Sequence, residues 1–131
     1  MAGYSRGVLA PTVLLVDDDT EMRESLAELF EQEGYQVVCD VSAEAALGRL
    51  LSGFRPAAMV VDFRMSGITG VEFLRICRAD PRLVDIPAVL ISGFDAVKFQ
   101  RMVGVMCLRK PLDVPAILAV LKAAAPIDAA S

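Results

Sequence analysis

Short apolar runs alternate with segments of helical period along nearly the whole chain, and this alternation limits the possible folds more than any other feature. Three of the runs, at residues 13–16, 59–61 and 89–91, contain no regular exchange of apolar and polar residues. Such runs are typical of strands that are buried on both faces of a parallel sheet. The five predicted strands are Thr12–Val16, Gln36–Cys39, Ala57–Val61, Ala88–Ile91 and Val105–Leu108.

Capping residues, glycines and prolines place helices between these strands. The first predicted helix has Thr20 as its N-cap and ends at Gly34, and the second runs from Ser42 to Gly53. The third begins after Gly70 and ends at Asp80. The fourth lies near Asp95–Met102, and the fifth begins at Asp113. The fourth is short and weak, and the second turns Leu50 and Leu51 inward. The alternation therefore predicts a doubly wound (βα)5 α/β domain, a parallel sheet between two helical layers with right-handed crossovers.

The length suits one domain, because 131 residues are enough to form a substantial core. We expect residues 1–11 to be a loose N-terminal tail, 12–124 to be the folded domain and 125–131 to be a C-terminal tail. Nothing folded could fit after residue 124, so we expect no output domain on this chain.

Composition excludes several classes of function. The chain has no histidine, which rules out Ser-His-Asp and Cys-His catalysis, histidine-bound zinc and a phosphohistidine on this chain. Its net charge of −4 and scattered basic residues argue against nucleic-acid binding. No apolar run reaches the roughly 18 residues needed to span a bilayer. We expect a soluble cytoplasmic protein, with Cys39, Cys77 and Cys107 as free, buried thiols.

Polar residues follow all five predicted strands, but Asp40, after the second, lies on the outside of the expected strand order and is not counted. Ligands of a doubly wound sheet bind beyond the carboxyl ends of its strands. Asp17 and Asp18 follow the first strand, Asp62 the third, Ser92 the fourth and Lys110 the fifth. Each could be a capping or turn residue on its own, but the fold brings all of them to one edge.

The charges at this edge predict a metal site. Two carboxylates about 5 Å apart repel each other by roughly 3 kcal/mol at an effective dielectric constant of about 20. Asp17, Asp18 and Asp62 against Lys110 leave two uncompensated negative charges, which matches a divalent cation. Oxygen ligands without histidine or cysteine favour Mg²⁺ over zinc or copper.

In this order the residues resemble the response-regulator receiver domain of two-component signalling. The similar segments are VLLVDDDTEMRESL, MVVDFRMSGITGVEFL, VLISGF and CLRKPL, and the resemblance covers about residues 12–124. It implies a flavodoxin-like sheet of order 2-1-3-4-5 and a bacterial phosphoprotein. It also implies an intrinsic phosphoryl transfer and autodephosphorylation rather than an enzyme in the usual sense.

The resemblance assigns a role to each residue of the edge. It makes Asp62 the phosphoacceptor, and Asp17, Asp18, Asp62 and the backbone carbonyl of Arg64 the Mg²⁺ ligands. Of the acidic pair, Asp18 would bind the ion directly and Asp17 at least partly through water. It makes Ser92, Gly93 and Lys110 the phosphoryl-binding and switch residues, and Pro111 the second residue of a cis peptide bond. It implies a histidine kinase or histidine phosphotransfer protein as donor, a monomer or weak homodimer, and switching of the face formed by the last two strands and helices. The downstream target is not indicated.

Three features depart from the pattern of the family. Ser66 stands where proline is usual and Thr69 where aspartate is frequent, so we expect a less rigid turn after Asp62. Cys107 occupies the aromatic switch position of the fifth strand, which puts aromatic coupling to Ser92 in doubt. The interval from Ser92 to Lys110 is about four residues short, which again predicts a stunted fourth helix.

Two other functions stay open at this point. A receiver that no longer takes phosphate could serve only as a docking module. A phosphatase similar to the haloacid-dehalogenase type could use Asp17 as its nucleophile in the run Asp17-Asp18-Asp19-Thr20. Identifying the aspartate that becomes phosphorylated would separate these hypotheses.

Overall fold

Five parallel strands form one sheet in a computed structural model that describes residues 10–93 and 102–127. The sheet order is β2-β1-β3-β4-β5, as predicted. Chain reversal at β1, which has β2 on one side and β3 on the other, makes the fold doubly wound. The strands are β1 (Thr12–Val16), β2 (Gln36–Asp40), β3 (Ala58–Asp62), β4 (Ala88–Ser92) and β5 (Val105–Arg109).

Four helices lie in the described residues and cover the two faces of the sheet. They are α1 (Thr20–Gln32), α2 (Ala43–Leu51), α3 (Gly70–Ala79) and α4 (Val114–Ala124). The short helix predicted near residues 95–102 falls almost wholly on residues 94–101, outside the part of the chain that the structure describes. The α/β fold class and the strand order are therefore confirmed, whereas the short helix stays a prediction.

Side-chain caps fix where three of the helices begin. The predicted cap at Thr20 is wrong, because Asp19 is the N-cap and its carboxylate accepts the Met22 N–H at 3.2 Å. Thr20 is instead the first residue of the helix. Ser42 caps α2 as predicted, and Thr69 begins α3 in a capping box with Glu72. Thr69 thus has a local role in starting α3.

Alternate strand residues pack into two separate cores. Leu14 and Val16 point towards α2 and α3, whereas Val13 and Leu15 point towards α1 and α4. Both cores need apolar residues, which explains why β1, β3 and β4 read as unbroken apolar runs. The prediction for Leu51 is wrong, because this residue is 53% exposed. Of the neighbouring leucines 50 and 51, only Leu50 faces the sheet.

Packing continues beyond residue 124. The Tyr35 hydroxyl donates to the Ala125 carbonyl at 2.7 Å, and Ala125 is buried. At the other end, the Pro11 carbonyl accepts the Gln36 N–H at 3.0 Å. Within residues 10–93 and 102–127, no helix has the length and apolar character required to cross a membrane.

The three cysteines are all free, but only Cys77 is buried. Cys39 and Cys107 are exposed, so the prediction of buried thiols is wrong for both. They lie on β2 and β5, the two edge strands. An edge strand has a neighbouring strand on one side alone, and its side chains are correspondingly less covered.

Candidate functional site

The sheet register brings the predicted residues to a single edge. Val16 is paired with Val61, Asp62 with Ile91, and Ser92 with Arg109. Asp17 and Lys110 each follow directly after one of these paired residues. The carboxyl ends of β1, β3, β4 and β5 therefore deliver two acids, a hydroxyl and an ammonium group to neighbouring positions.

Asp62 is the buried acid at the end of β3 and is only 4% exposed. The Lys110 Nζ lies 2.7 Å from Oδ1, and the Arg64 backbone N–H donates to Oδ2 at 3.0 Å. Oδ1 of Asp62 is thus engaged by the Lys110 ammonium and Oδ2 by a backbone N–H, and the charge of Asp62 is compensated.

Ser92 ends β4 and is 1% exposed. Its carbonyl accepts the Lys110 N–H at 2.8 Å, which ties the ends of β4 and β5 together through the main chain. Among the described residues, a Cβ added to Gly93 would meet nothing within 4 Å. The Lys110–Pro111 peptide bond is cis.

Asp17 is buried, with 2% of the residue exposed. Its Oδ1 accepts the Asp19 N–H at 2.9 Å, and its carbonyl accepts an N–H of Arg23 at 2.9 Å. The pKa of the Asp17 carboxyl is raised to about 6, mainly by burial and also by the negative charge of Asp62. The Asp19 N–H and the Lys110 charge act in the opposite direction but are outweighed. Ionised Asp17 is thus an unfavourable charge that a cation would stabilise.

Asp18 is exposed and bonded to the loop that follows β3. Its Oδ2 accepts the Ser66 N–H at 3.0 Å and the Ser66 hydroxyl at 3.3 Å. Across the described parts of the chain, no three acidic or thiol side chains are grouped closely enough to hold a metal ion by themselves. A cation here would need main-chain or water ligands as well, which is ordinary for Mg²⁺.

Replacing Asp17 by Asn removes an unfavourable buried charge while keeping an oxygen that can accept the Asp19 N–H. The carboxyl binds its proton more tightly in the folded protein (pKa about 6) than in the unfolded chain (3.8). Proton binding by Asp17 therefore stabilises the folded protein fully below pH 3.8, and this contribution is lost as the pH rises through 6. We expect metal-free wild type to lose stability relative to D17N across this range, by at most about 3 kcal/mol.

Urea unfolding of both proteins at pH 4, 5, 6 and 7 in the presence of a chelator measures this difference. Using the difference between the two proteins cancels the titration of all other carboxyls. A difference that is constant with pH, or that changes in favour of wild type, would contradict the raised pKa of Asp17.

Sequence reasoning missed three contacts around this edge. Ser66 was singled out only as a departure, and nothing in the sequence indicates that it bonds Asp18. Glu44 of α2 accepts the Ile68 N–H at 3.4 Å and so supports the same loop. Gly70 packs against the backbone of Asp62, which a glycine at the first position of a helix could have suggested. The first two are contacts between segments far apart in sequence, for which a single chain carries no signal.

Comparison with known proteins agrees with this geometry. The sequence model of the response regulator receiver domain family matches residues 13–122. The chain is 32% identical over 117 residues to the transcriptional regulatory protein FixJ of Rhizobium meliloti, covering 86% of this chain and 56% of FixJ. It is 35% identical over 85 residues to the C4-dicarboxylate transport transcriptional regulatory protein DctD of the same organism, covering 64% of this chain and 18% of DctD.

Solved structures give the same result. A sensor protein from Polaromonas sp. JS666 is similar with a TM-score of 0.80 and 28% identity, covering 87% of this chain and 94% of that one. A response regulator receiver protein from Pseudomonas putida has a TM-score of 0.75 and 28% identity, covering 88% and 98%. The chain spans about half or less of the two curated relatives, FixJ and DctD. It belongs to the response regulator receiver domain family of two-component signalling.

Proposed function

We propose that this receiver domain accepts a phosphoryl group on Asp62 and responds by changing the face formed around β4 and β5. The observation that carries the proposal is the state of the Asp62 carboxylate. It is almost fully buried, its Oδ1 lies 2.7 Å from the Lys110 ammonium, and its Oδ2 accepts the Arg64 backbone N–H at 3.0 Å. A carboxylate held in this way is suited to nucleophilic attack.

In the proposed reaction, a carboxylate oxygen of Asp62 forms a bond to the phosphorus atom of the donor. The bond between phosphorus and the donor atom breaks, and the donor leaves with that electron pair. The product is an acyl phosphate on Asp62. Lys110 stabilises the transferred oxygens by its charge, and Ser92 is placed to donate its hydroxyl to one of them.

The donor set at this edge fits Mg²⁺. Asp17, Asp18 and Asp62 supply carboxylate oxygens, and we propose that the Arg64 carbonyl completes the protein ligands. The buried charge of Asp17, close to the negative charge of Asp62, favours a cation nearby. When bound, Mg²⁺ supplies positive charge that lowers the repulsion between the incoming phosphoryl group and the carboxylates.

The response would pass from Ser92 to β5. Phosphorylation adds nearly two negative charges beside Ser92, and movement of Ser92 acts directly on Lys110 through their main-chain hydrogen bond. Cys107, at the family's aromatic position, is exposed on β5, and its thiol is too small to act as an aromatic switch. We therefore propose that coupling in this chain runs mainly through the backbone of β4 and β5.

We propose that the physiological phosphoryl donor is a phosphohistidine, which must lie outside these 131 residues because they contain no histidine. Receiver domains interact with histidine kinases or histidine phosphotransfer proteins, and we propose a partner of that class for this chain. We propose that the chain binds neither nucleic acid nor a membrane. The phosphatase hypothesis is less well supported, because Oδ1 of Asp17 already accepts the Asp19 N–H and the Lys110 ammonium pairs with Asp62.

The test of this proposal is phosphoryl loading of the wild-type protein. We expect incubation with acetyl phosphate and Mg²⁺ to add the mass of one phosphoryl group by intact-protein mass spectrometry. We expect a chelator added before the donor to prevent most of the adduct from forming, because the uncompensated carboxylates would then repel the donor. Absence of any adduct with Mg²⁺ would favour a receiver that serves only for docking.

We also expect Mg²⁺ alone to raise the melting temperature, because a ligand that binds the folded state stabilises it. At 100 times its dissociation constant it would contribute about 2.7 kcal/mol. A thermal melt at pH 7.5 with MgCl₂ or with a matched concentration of NaCl measures the effect. A melting temperature that does not respond to millimolar Mg²⁺ would contradict the metal site.

A further inference from the structure

We propose that Ser66 competes with Mg²⁺ for the Asp18 carboxylate and thereby sets the Mg²⁺ affinity of this domain. The inference rests on the proposed function, since it concerns the same metal site. Both hydrogen bonds of Ser66 end on the same oxygen, Oδ2 of Asp18, at 3.0 Å and 3.3 Å. Asp18 is the acid that the resemblance makes a direct Mg²⁺ ligand.

The position of Ser66 is fixed from both sides. Met65 is buried in the core beneath the loop, and the Ile68 N–H is held by Glu44 of α2. Because the loop is anchored, Ser66 cannot follow the Asp18 carboxylate when that group turns. Its two hydrogen bonds must therefore break, or weaken, when Asp18 takes up a cation.

The neighbouring acids show that the carboxylates are not already assembled around a cation. No three acidic side chains of the described residues are grouped closely enough to hold a metal. The Asp62 carboxylate is engaged by Lys110 and the Arg64 N–H, and the Asp18 carboxylate by Ser66. Asp18 therefore has to give up its hydrogen bonds to Ser66 before it can join the other carboxylates around a cation.

Two substitutions separate the two hydrogen bonds. S66A removes the hydroxyl and keeps the backbone N–H, whereas S66P removes both donors because proline has no N–H. We expect Mg²⁺ to bind about threefold more tightly to S66A and about tenfold more tightly to S66P, from the usual net strength of one and of two intramolecular hydrogen bonds. S52A is the matched control, because the Ser52 hydroxyl donates to the Arg49 carbonyl at the far end of α2.

Isothermal titration with MgCl₂ measures these affinities without phosphorylation. A second measurement reports on the contact itself: the Ser66 amide proton of wild type should move upfield during an NMR titration with MgCl₂, as its hydrogen bond to the carboxylate is lost. S66A keeps the backbone conformation, so the test does not depend on whether S66P folds.

Each outcome decides the proposal. Tighter Mg²⁺ binding by S66A than by wild type, with the affinity of S52A unchanged, supports competition. Measurable Mg²⁺ binding by a Ser66 variant when wild type shows none supports it as well. Equal or weaker binding by both Ser66 variants overturns it while leaving the metal site of wild type intact. If neither wild type nor the variants bind Mg²⁺, both the competition and the Mg²⁺ site of the proposed function fail.

Discussion

Replacing Asp62 by Asn is expected to abolish phosphoryl loading by acetyl phosphate and Mg²⁺. The amide has nearly the same shape as the carboxylate, but it is uncharged and is not a nucleophile under these conditions. The substitution also removes the ion pair between Asp62 and Lys110, so the Lys110 ammonium loses the group that positions it. Intact-protein mass spectrometry should detect the adduct on wild type and none on D62N.

D17N is the matched control for this experiment, because it makes the same chemical change to the other buried acid of the site. We expect D17N to load more slowly than wild type but still to load, since its nucleophile is intact. Loss of the adduct in D17N together with an undiminished adduct in D62N would reverse the assignment and support the phosphatase hypothesis. Equal adducts on all three proteins would mean that another residue is modified.

Replacing Gly70 by Ala is expected to destabilise the domain by about 1–3 kcal/mol, the usual cost of overpacking a core. A Cβ at this position would lie 2.5 Å from the Asp62 carbonyl oxygen and 3.0 Å from the Leu90 Cδ1 and the Phe63 Cα. The first of these contacts is with backbone and cannot be relieved by a rotamer change. The start of α3 would have to move away from β3, which carries the candidate nucleophile.

G48A provides a control in which the same change should have the opposite sign. Gly48 lies exposed on α2, and a Cβ there would meet nothing within 4 Å. Alanine should therefore stabilise the domain by about 0.5–1 kcal/mol, since it is favoured over glycine inside a helix. Urea unfolding of the three proteins measures both effects. Similar stabilities for G70A and G48A would show that the backbone at Gly70 tolerates a side chain.

Much of the fold follows from local patterns. Apolar runs with no alternation indicate strands covered on both faces, and β1, β3 and β4 are so covered. The errors arise where a local pattern admits neighbouring solutions. Asp19 and Thr20 can both cap a helix, and only the bond from Met22 selects Asp19. Leu50 and Leu51 are equally apolar, and the direction of the sheet decides which of them is buried.

Residue order along the chain predicted the alternation of strands and helices and, because parallel strands share their carboxyl ends, the edge at which the functional residues meet. The strand order and the family came from the resemblance that the motifs carry. The distance between Lys110 and Asp62, the burial that raises the pKa of Asp17, and the hydrogen bonds from Ser66 to Asp18 are visible in the tertiary structure alone. The physical reason is that each of these is a contact or an environment made by segments distant in sequence, and its strength depends on distance and burial, which residue order does not encode locally.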